Sequence, residues 1–468
     1  MRRCGIVGAA VLVAVIVSAC RELAGPSTPA AVTIESSTVV ANANNVLSVV
    51  VSVRVRNADS VSVRFHLGDV PSEGDSVTPA VRSTADSATV PVLGLLPARR
   101  YVLRAIAHGM GGPALGDAIE FTTDTLPSDL PRYAASGVDP SPGYVVFASG
   151  MFGLVIDNSG RVVWYRRFSN GPGLNFMVQP NGRYVARPTT PDPADVEPWI
   201  EFDPVGNVTR TFKCIGGLQS RLHDTISQQD GSQWLMCDET RTIDLSASGG
   251  ASVARVTGTA VQHVSAAGTL LLHWSPFDHL AITDLDSLER TGTTVNWTHG
   301  NALALDIDGN LIISFRNLGE MTKIHARTGA VLWRMGGRHN QFTFSDSPSP
   351  PFLRQHGVRI ASAGALMVLD NMGDPGESRA ELYVVDEAAR TARLVRSYAA
   401  TPGVVTPIGG SVQSLSGGRV LVSFGVAGRV EEYDAAGRVL WRIDGDAGYV
   451  FRAQRIRSLY SPGEGSAP

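Results

Sequence analysis

The sequence predicts an all-β protein, a small β-sandwich followed by a six-bladed β-propeller, and three observations carry that prediction. Residues 31 to 125 read as alternating apolar and polar runs, as in VLSVVVSVRVRNADSVSVRFHLG and LGLLPARRYVLRAIAHG, the period-2 pattern of half-buried strands. Beyond residue 140 a phrase recurs in which a turn glycine precedes an outer strand that often carries tryptophan: DNSGRVVWYR, DPVGNVTRTF, SAAGTLLLHW, ARTGAVLWRM and DAAGRVLWRI. Its glycines are Gly160, Gly206, Gly268, Gly329 and Gly437, and DEAARTARLVRSY near Arg390 fills the one long interval as a degenerate sixth copy. A fixed repeat of four-stranded length is the signature of a propeller. Finally, the first copy lacks a front strand while GYVFRAQRIRSLY, residues 448 to 460, is left over after the sixth, so residues 449 to 460 are expected to close the ring.

The elements follow in order. Met1-Arg2-Arg3, the apolar run GIVGAAVLVAVIV and the sequence VSAC at Val17 to Cys20 form an export signal too short to span a membrane comfortably. The small residues before Cys20 resemble the lipobox of bacterial lipoproteins. That resemblance implies cleavage after residue 19, lipidation of Cys20 and a tether over 20–30, hence an exported, periplasmic or cell-surface lipoprotein anchored in the outer membrane. Residues 31–125 resemble a fibronectin type III or immunoglobulin-like sandwich, with Tyr101 as the tyrosine-corner residue and His66 and His108 without a chemical role. A Pro, Ser and Gly-rich joint covers 126–140, the propeller 141–460, and 461–468 is a disordered tail.

Composition excludes some functions. The net charge of −3 offers no electrostatic case for nucleic acid or for a polybasic membrane surface. After export Cys214 and Cys237 are the remaining pair in an oxidising compartment, and a disulfide between them is one of two open outcomes. The oligomeric state is equally open, a homodimer being one possibility.

The candidate chemistry sits on three inner hairpins. HDTISQQDGSQWLMCDE begins at His223, HGNALALDIDGNLIISFRN at His299, and QHGVRIASAGALMVLDN carries His356. In a propeller the first strand of each blade lines the axial channel, so these imidazoles converge, with Asn301 and Arg316 at the same rim. A single histidine at a strand start is usually a surface or satisfied core residue; three in register are not so easily dismissed. Zinc or copper could bind three imidazoles, but a fixed guanidinium repels a cation and no HExxH or paired-cysteine motif supports a metal. Arginine, imidazole and amide donors suit a tetrahedral oxyanion such as sulfate or phosphate. His263 and His325 fall on other strands and are expected outside the site.

At these residues the sequence resembles the bacterial arylsulfate sulfotransferase family over roughly residues 140 to 460. The likeness is densest at HGN from 299, SFRN from 314, VLWRMGG from 331, QHGVRI from 355 and LDN from 369. It implies sulfuryl transfer from a phenolic sulfate donor to a phenol acceptor without a cofactor. His356 would be the nucleophile that becomes sulfated, with His299, Asn301, Arg316 and His223 as its partners. The family's later threonine matches poorly, since GGSVQSL has glycine at the histidine register and Ser411 nearby. Either His223 or His299 could be the acid/base, as imidazole titrates near neutrality. A different class, a non-catalytic exported propeller that binds an anionic ligand or a protein, remains the alternative.

Overall fold

The structure, a computed structural model, describes residues 29–68, 75–188, 198–373 and 376–462. Cys20, the signal and most of the expected tether lie outside the described residues, as does most of the C-terminal tail. Among the described residues no helix is long and apolar enough to cross a membrane.

Residues 33 to 122 form two sheets. Thr33–Ala41, Ser48–Arg56 and Ser87–Leu93 make one, while Ser60–Leu67 and Arg100–His108 are central to the other. In Ser48–Arg56, Val49, Val51, Val53 and Val55 are buried while Ser52, Arg54 and Arg56 are exposed. Those valines meet Val61, Val63, Leu103, Ala105 and Ala107 of the facing sheet, each fully buried valine contributing about 1.5–3 kcal/mol. The Tyr101 hydroxyl accepts from Leu96 N at 2.8 Å. His108 contacts Ser62 Oγ at 3.0 Å and His66 its neighbour's carbonyl at 2.8 Å, ordinary local partners.

The rest of the chain forms six sheets of four or five strands among the described residues. Taken round the ring from the sheet of Tyr144–Ser149, their innermost strands are Ala453–Ile456, Phe176–Val178, Gln219–Ser227, Gly300–Leu305, His356–Ser362 and Ser411–Leu415; we number the sheets one to six in that order. The C-terminal segment supplies the innermost strand of sheet one, Ala453 pairing with Phe147 and Ile456 with Tyr144. The segment expected to be a plain joint does more: Ala135–Gly137 adds an outer strand to sheet six along Val439–Ile443. Gly137 permits this close approach, since a Cβ there would lie 2.4 Å from Leu440 O.

The repeated phrase has a local cause. Asp157, Asp203 and Asp434 each use Oδ1 to accept from the N–H groups two and four residues on, at 2.9–3.1 Å. The chain then turns through Gly160, Gly206 and Gly437 at φ of 86° to 90°, a left-handed conformation that glycine adopts without steric cost. In the degenerate copy Arg390 adopts it instead, at φ 55°.

Side-chain staples near the axis join each sheet to the next. Gln454 holds Val178 N at 2.7 Å, Gln179 holds Ser227 N at 2.7 Å, and Asp224 holds Leu303 N at 3.0 Å. Asn301 reaches Gln355 O at 2.6 Å, Asn371 reaches Gly409 O at 2.9 Å, and Gln413 takes Arg455 N at 2.6 Å. The six sheets thus follow one another round a closed ring. The staples also satisfy backbone groups beside the axis that would otherwise be buried without a partner.

Candidate active site

Three of the innermost strands are irregular where they carry the chemistry. Pairing shifts between Ser220 and Thr225, between Gly300 and Ala302, and between His356 and Arg359. Such bulges re-aim side chains that a regular strand would send into the neighbouring sheet. Positive φ at His299 (48°), Arg354 (56°) and Gly357 (64°) completes the distortion. The result gathers His223, His299 and His356. The His223 ring lies edge-on to His299 with centroids 5.1 Å apart, and Phe451 meets His223 at 5.7 Å and His356 at 6.0 Å. His263 is elsewhere, stacked on Trp234 at 4.2 Å, and His325 accepts two turn N–H groups.

His356 is held most firmly. Its Nδ1 is 2.8 Å from Asn371 Oδ1 and 3.0 Å from Arg354 O. Asn371 Nδ2 is itself committed to Thr406 O at 2.6 Å and Gly409 O at 2.9 Å, so its oxygen must face the imidazole. Two acceptors at Nδ1 place the proton there and leave the lone pair on Nε2, where Gly409 N–H approaches at 3.3 Å. At His299, Nδ1 is 2.6 Å from Asn296 Nδ2; with the amide as donor, the ring proton sits on Nε2. One imidazole therefore offers a lone pair and its neighbour an N–H.

Three guanidiniums charge the site. Arg221 pairs with Asp238, and Arg354 pairs with Glu289 and donates to Asn317 at 2.8 Å. Arg316 is steadied by Asn317 Oδ1 at 2.9 Å and Pro407 O at 3.2 Å, yet has no carboxylate within ion-pair distance among the described residues. Burial, followed by the facing Arg354, pulls the Arg316 pKa below its ordinary value. A guanidinium without a carboxylate in contact, close enough to His299 and His356 to lower both their pKa values, makes the site cationic, a chemistry that suits an anion. Among the described residues no group of three or more His, Cys, Asp or Glu is arranged to hold a metal.

The expected titration near neutrality does not hold in this site. Burial, against a hydrogen bond to Asn371 and with Arg316 and Arg452 adding repulsion, holds His356 at about 4. Burial followed by Arg221 and Arg316 brings His299 to about 3, and burial followed by Arg221 and His299 puts His223 well below 6.5. Neutral imidazoles at rest are the consequence.

Other expected residues have different tasks from those anticipated. Asn301 is fully buried, and its amide braces the backbone just ahead of His356. Ser411 is buried and its Oγ accepts from Ala453 N at 3.2 Å; the donor facing His356 Nε2 is the backbone of Gly409. A disulfide joins Cys214 to Cys237 within the core between sheets two and three. Sequence reasoning missed Asn371, Phe451, Arg221 and Arg354. Only Asn371 left a signal, as the last residue of LDN, and its role depends on His356 pairing with Leu369 across the hairpin.

Fold and site together define an all-β protein whose ring of sheets surrounds a cationic, histidine-lined site. Residues 213–446, half of the chain, match the model of the family described as arylsulfotransferase (ASST), and the chain belongs to that family. Aryl sulfotransfer is the activity that membership supports. A search of curated proteins found no match. Among solved structures, a Bacteroides caccae protein of unknown function is 12% identical, covering 68% of this chain and 100% of its own at a TM-score of 0.42. A catalytically inactive virginiamycin B lyase from Staphylococcus aureus is 9% identical, covering 66% of this chain and 87% of its own at 0.39. An auxiliary nutrient binding protein from Bacteroides ovatus is 10% identical over 91% of each chain at 0.37. Likeness at this level carries no argument about this chain.

Proposed function

We propose that the protein moves a sulfuryl group from an aryl sulfate to a phenol by a ping-pong reaction through sulfated His356. The observation that carries this reading is the locked tautomer, which leaves the His356 Nε2 lone pair facing a site with an unpaired guanidinium. In the first half, Nε2 attacks sulfur, an N–S bond forms, and the aryl S–O bond breaks to release phenoxide. Arg316, held by rigid strands, stabilises the charge spread over the sulfuryl oxygens at little reorganisation cost, and the Gly409 N–H, released from Nε2 as its lone pair forms the N–S bond, turns to those oxygens as a second donor. His299 Nε2–H hydrogen-bonds the leaving oxygen, and the arriving sulfate anion raises the pKa of all three imidazoles towards the range where proton transfer is effective. In the second half a phenol oxygen attacks sulfur, the N–S bond breaks, and the phenolic proton passes to the imidazole nearest the oxygen.

The six sheets are, on this reading, the blades of a six-bladed propeller over 141–460, and residues 31–125 a fibronectin III or immunoglobulin-like module. Cys20 is its lipid anchor at the outer membrane. The deciding experiment is incubation with an aryl sulfate and no acceptor. An adduct of about 80 Da, the mass of SO3, is expected on the peptide containing His356. His356→Ala should lose both adduct and turnover. A label on another residue, or a turning-over His356→Ala enzyme, rejects the assignment.

A further inference from the structure

The ring axis carries a second chamber that the histidine chemistry does not use. It encloses about 560 Å³ and is lined by residues of the same innermost strands, Val178, Ile226, Leu305, Ile360 and Val412 among them, and by Ile307 in the turn after Gly300–Leu305. None of His223, His299, Arg316 or His356 lines it. Between the two lies a buried ion cluster drawn from sheet three, sheet five and the segment closing sheet one, which can meet only near the axis. Arg452 holds Asp224 with two bonds, Nη1 to Oδ1 at 2.6 Å and Nη2 to Oδ2 at 3.0 Å. Arg359 Nη1 reaches the same carboxylate at 3.2 Å and also donates to Leu303 O at 3.1 Å and Val358 O at 2.7 Å. Two guanidiniums share one carboxylate, so the cluster keeps one excess positive charge.

The fork of Arg359 shows where that charge is available. All its hydrogen bonds within the described residues run through Nη1. The opposite edge, made by Nε–H and the Nη2 hydrogens, has no partner among the described residues, and the side chain, 25% exposed, is one of those lining the chamber. That edge is the one that receives a carboxylate with two parallel bonds. Burial and repulsion from Arg452 bring the Arg359 pKa to about 10, a strain that an anion at the free edge would relieve.

We propose that this second chamber binds a small organic carboxylate, its anionic head on the free edge of Arg359 and its apolar body against the aliphatic wall. The chamber volume falls within the range of small-molecule sites, roughly 300–1,000 Å³. The claim does not depend on sulfotransfer, and its test needs no turnover.

The probe is 2-naphthoate, titrated against the full chain by calorimetry, with 2-naphthamide as the uncharged control. Saturable binding of the acid, at least about tenfold tighter than the amide, is expected. Arg359→Gln leaves Asp224 and Arg452 as a balanced pair and should weaken naphthoate binding by about 10- to 100-fold. Arg316→Ala, which removes the cation of the histidine site, should leave naphthoate binding unchanged. Ile307 is 71% exposed at the chamber, so Ile307→Glu spares the core and decides the matter if Arg359→Gln fails to fold. Its added negative charge should weaken binding several-fold. Equal affinity for acid and amide, loss on Arg316→Ala with retention in Arg359→Gln, or indifference to Ile307→Glu would each overturn the proposal.

Discussion

Acid pH is the perturbation that tests the site most directly, because His356 must be neutral to attack sulfur. Burial and the Arg316 and Arg452 cations hold its pKa at about 4, against an ordinary 6.5. At pH 5.5 an unperturbed imidazole would be about one-tenth neutral, whereas one at about 4 is about 97% neutral. The assay is a single turnover at subsaturating aryl sulfate, which stays ionised throughout, so that the rate of adduct formation from pH 3.5 to 8 reports the unliganded imidazole. The rate at pH 5.5 should remain within a few per cent of its neutral value and fall with a midpoint near 4. In Arg316→Ala, removal of a repelling cation should move that midpoint upward. Stability carries the same signature. The unfolded imidazole takes up its proton near 6.5 and the folded one only near 4, so the unfolded state binds more protons between those values. Stability should therefore fall as pH drops through that window, by about 3 kcal/mol from this residue, and less in His356→Asn. An acid limb near 6.5 would refute the claim that burial and the arginines keep the nucleophile neutral.

Other expectations concern separate parts of the machinery. Arg316→Ala should slow sulfation of His356 by about 10²- to 10³-fold, by analogy with losing one oxyanion donor, read from single-turnover rates at neutral pH. His299→Ala should slow release of poor phenolate leaving groups far more than nitrophenolates, seen as a steeper dependence of rate on leaving-group pKa; His223→Ala, which keeps the His299 donor facing the leaving oxygen, should show a weaker dependence. Truncation before Tyr449 removes the innermost strand of sheet one and bares the edge of Tyr144–Ser149 beside the axis, so the soluble folded yield should collapse, and a stable truncated protein would argue against closure by this segment.

Much of this protein was readable one residue at a time. Period-2 valines, aspartate-capped glycine turns and an unused C-terminal strand are local patterns, and they determined the all-β class, the six repeats and the segment that closes the ring. The histidines of the inner hairpins were legible for the same reason, since a repeat places equivalent positions at one end of the ring. Tertiary structure alone decided what those histidines are. The tautomer of His356 depends on Asn371, whose own orientation is set by carbonyls of Thr406 and Gly409, 35 and 38 residues further on. The bulges that turn the imidazoles inward have no sequence period, and Arg221, Arg354 and Phe451 enter from segments that carry no motif. Depressed pKa values depend on burial and on charges summed across several sheets, quantities that exist only once the ring is closed.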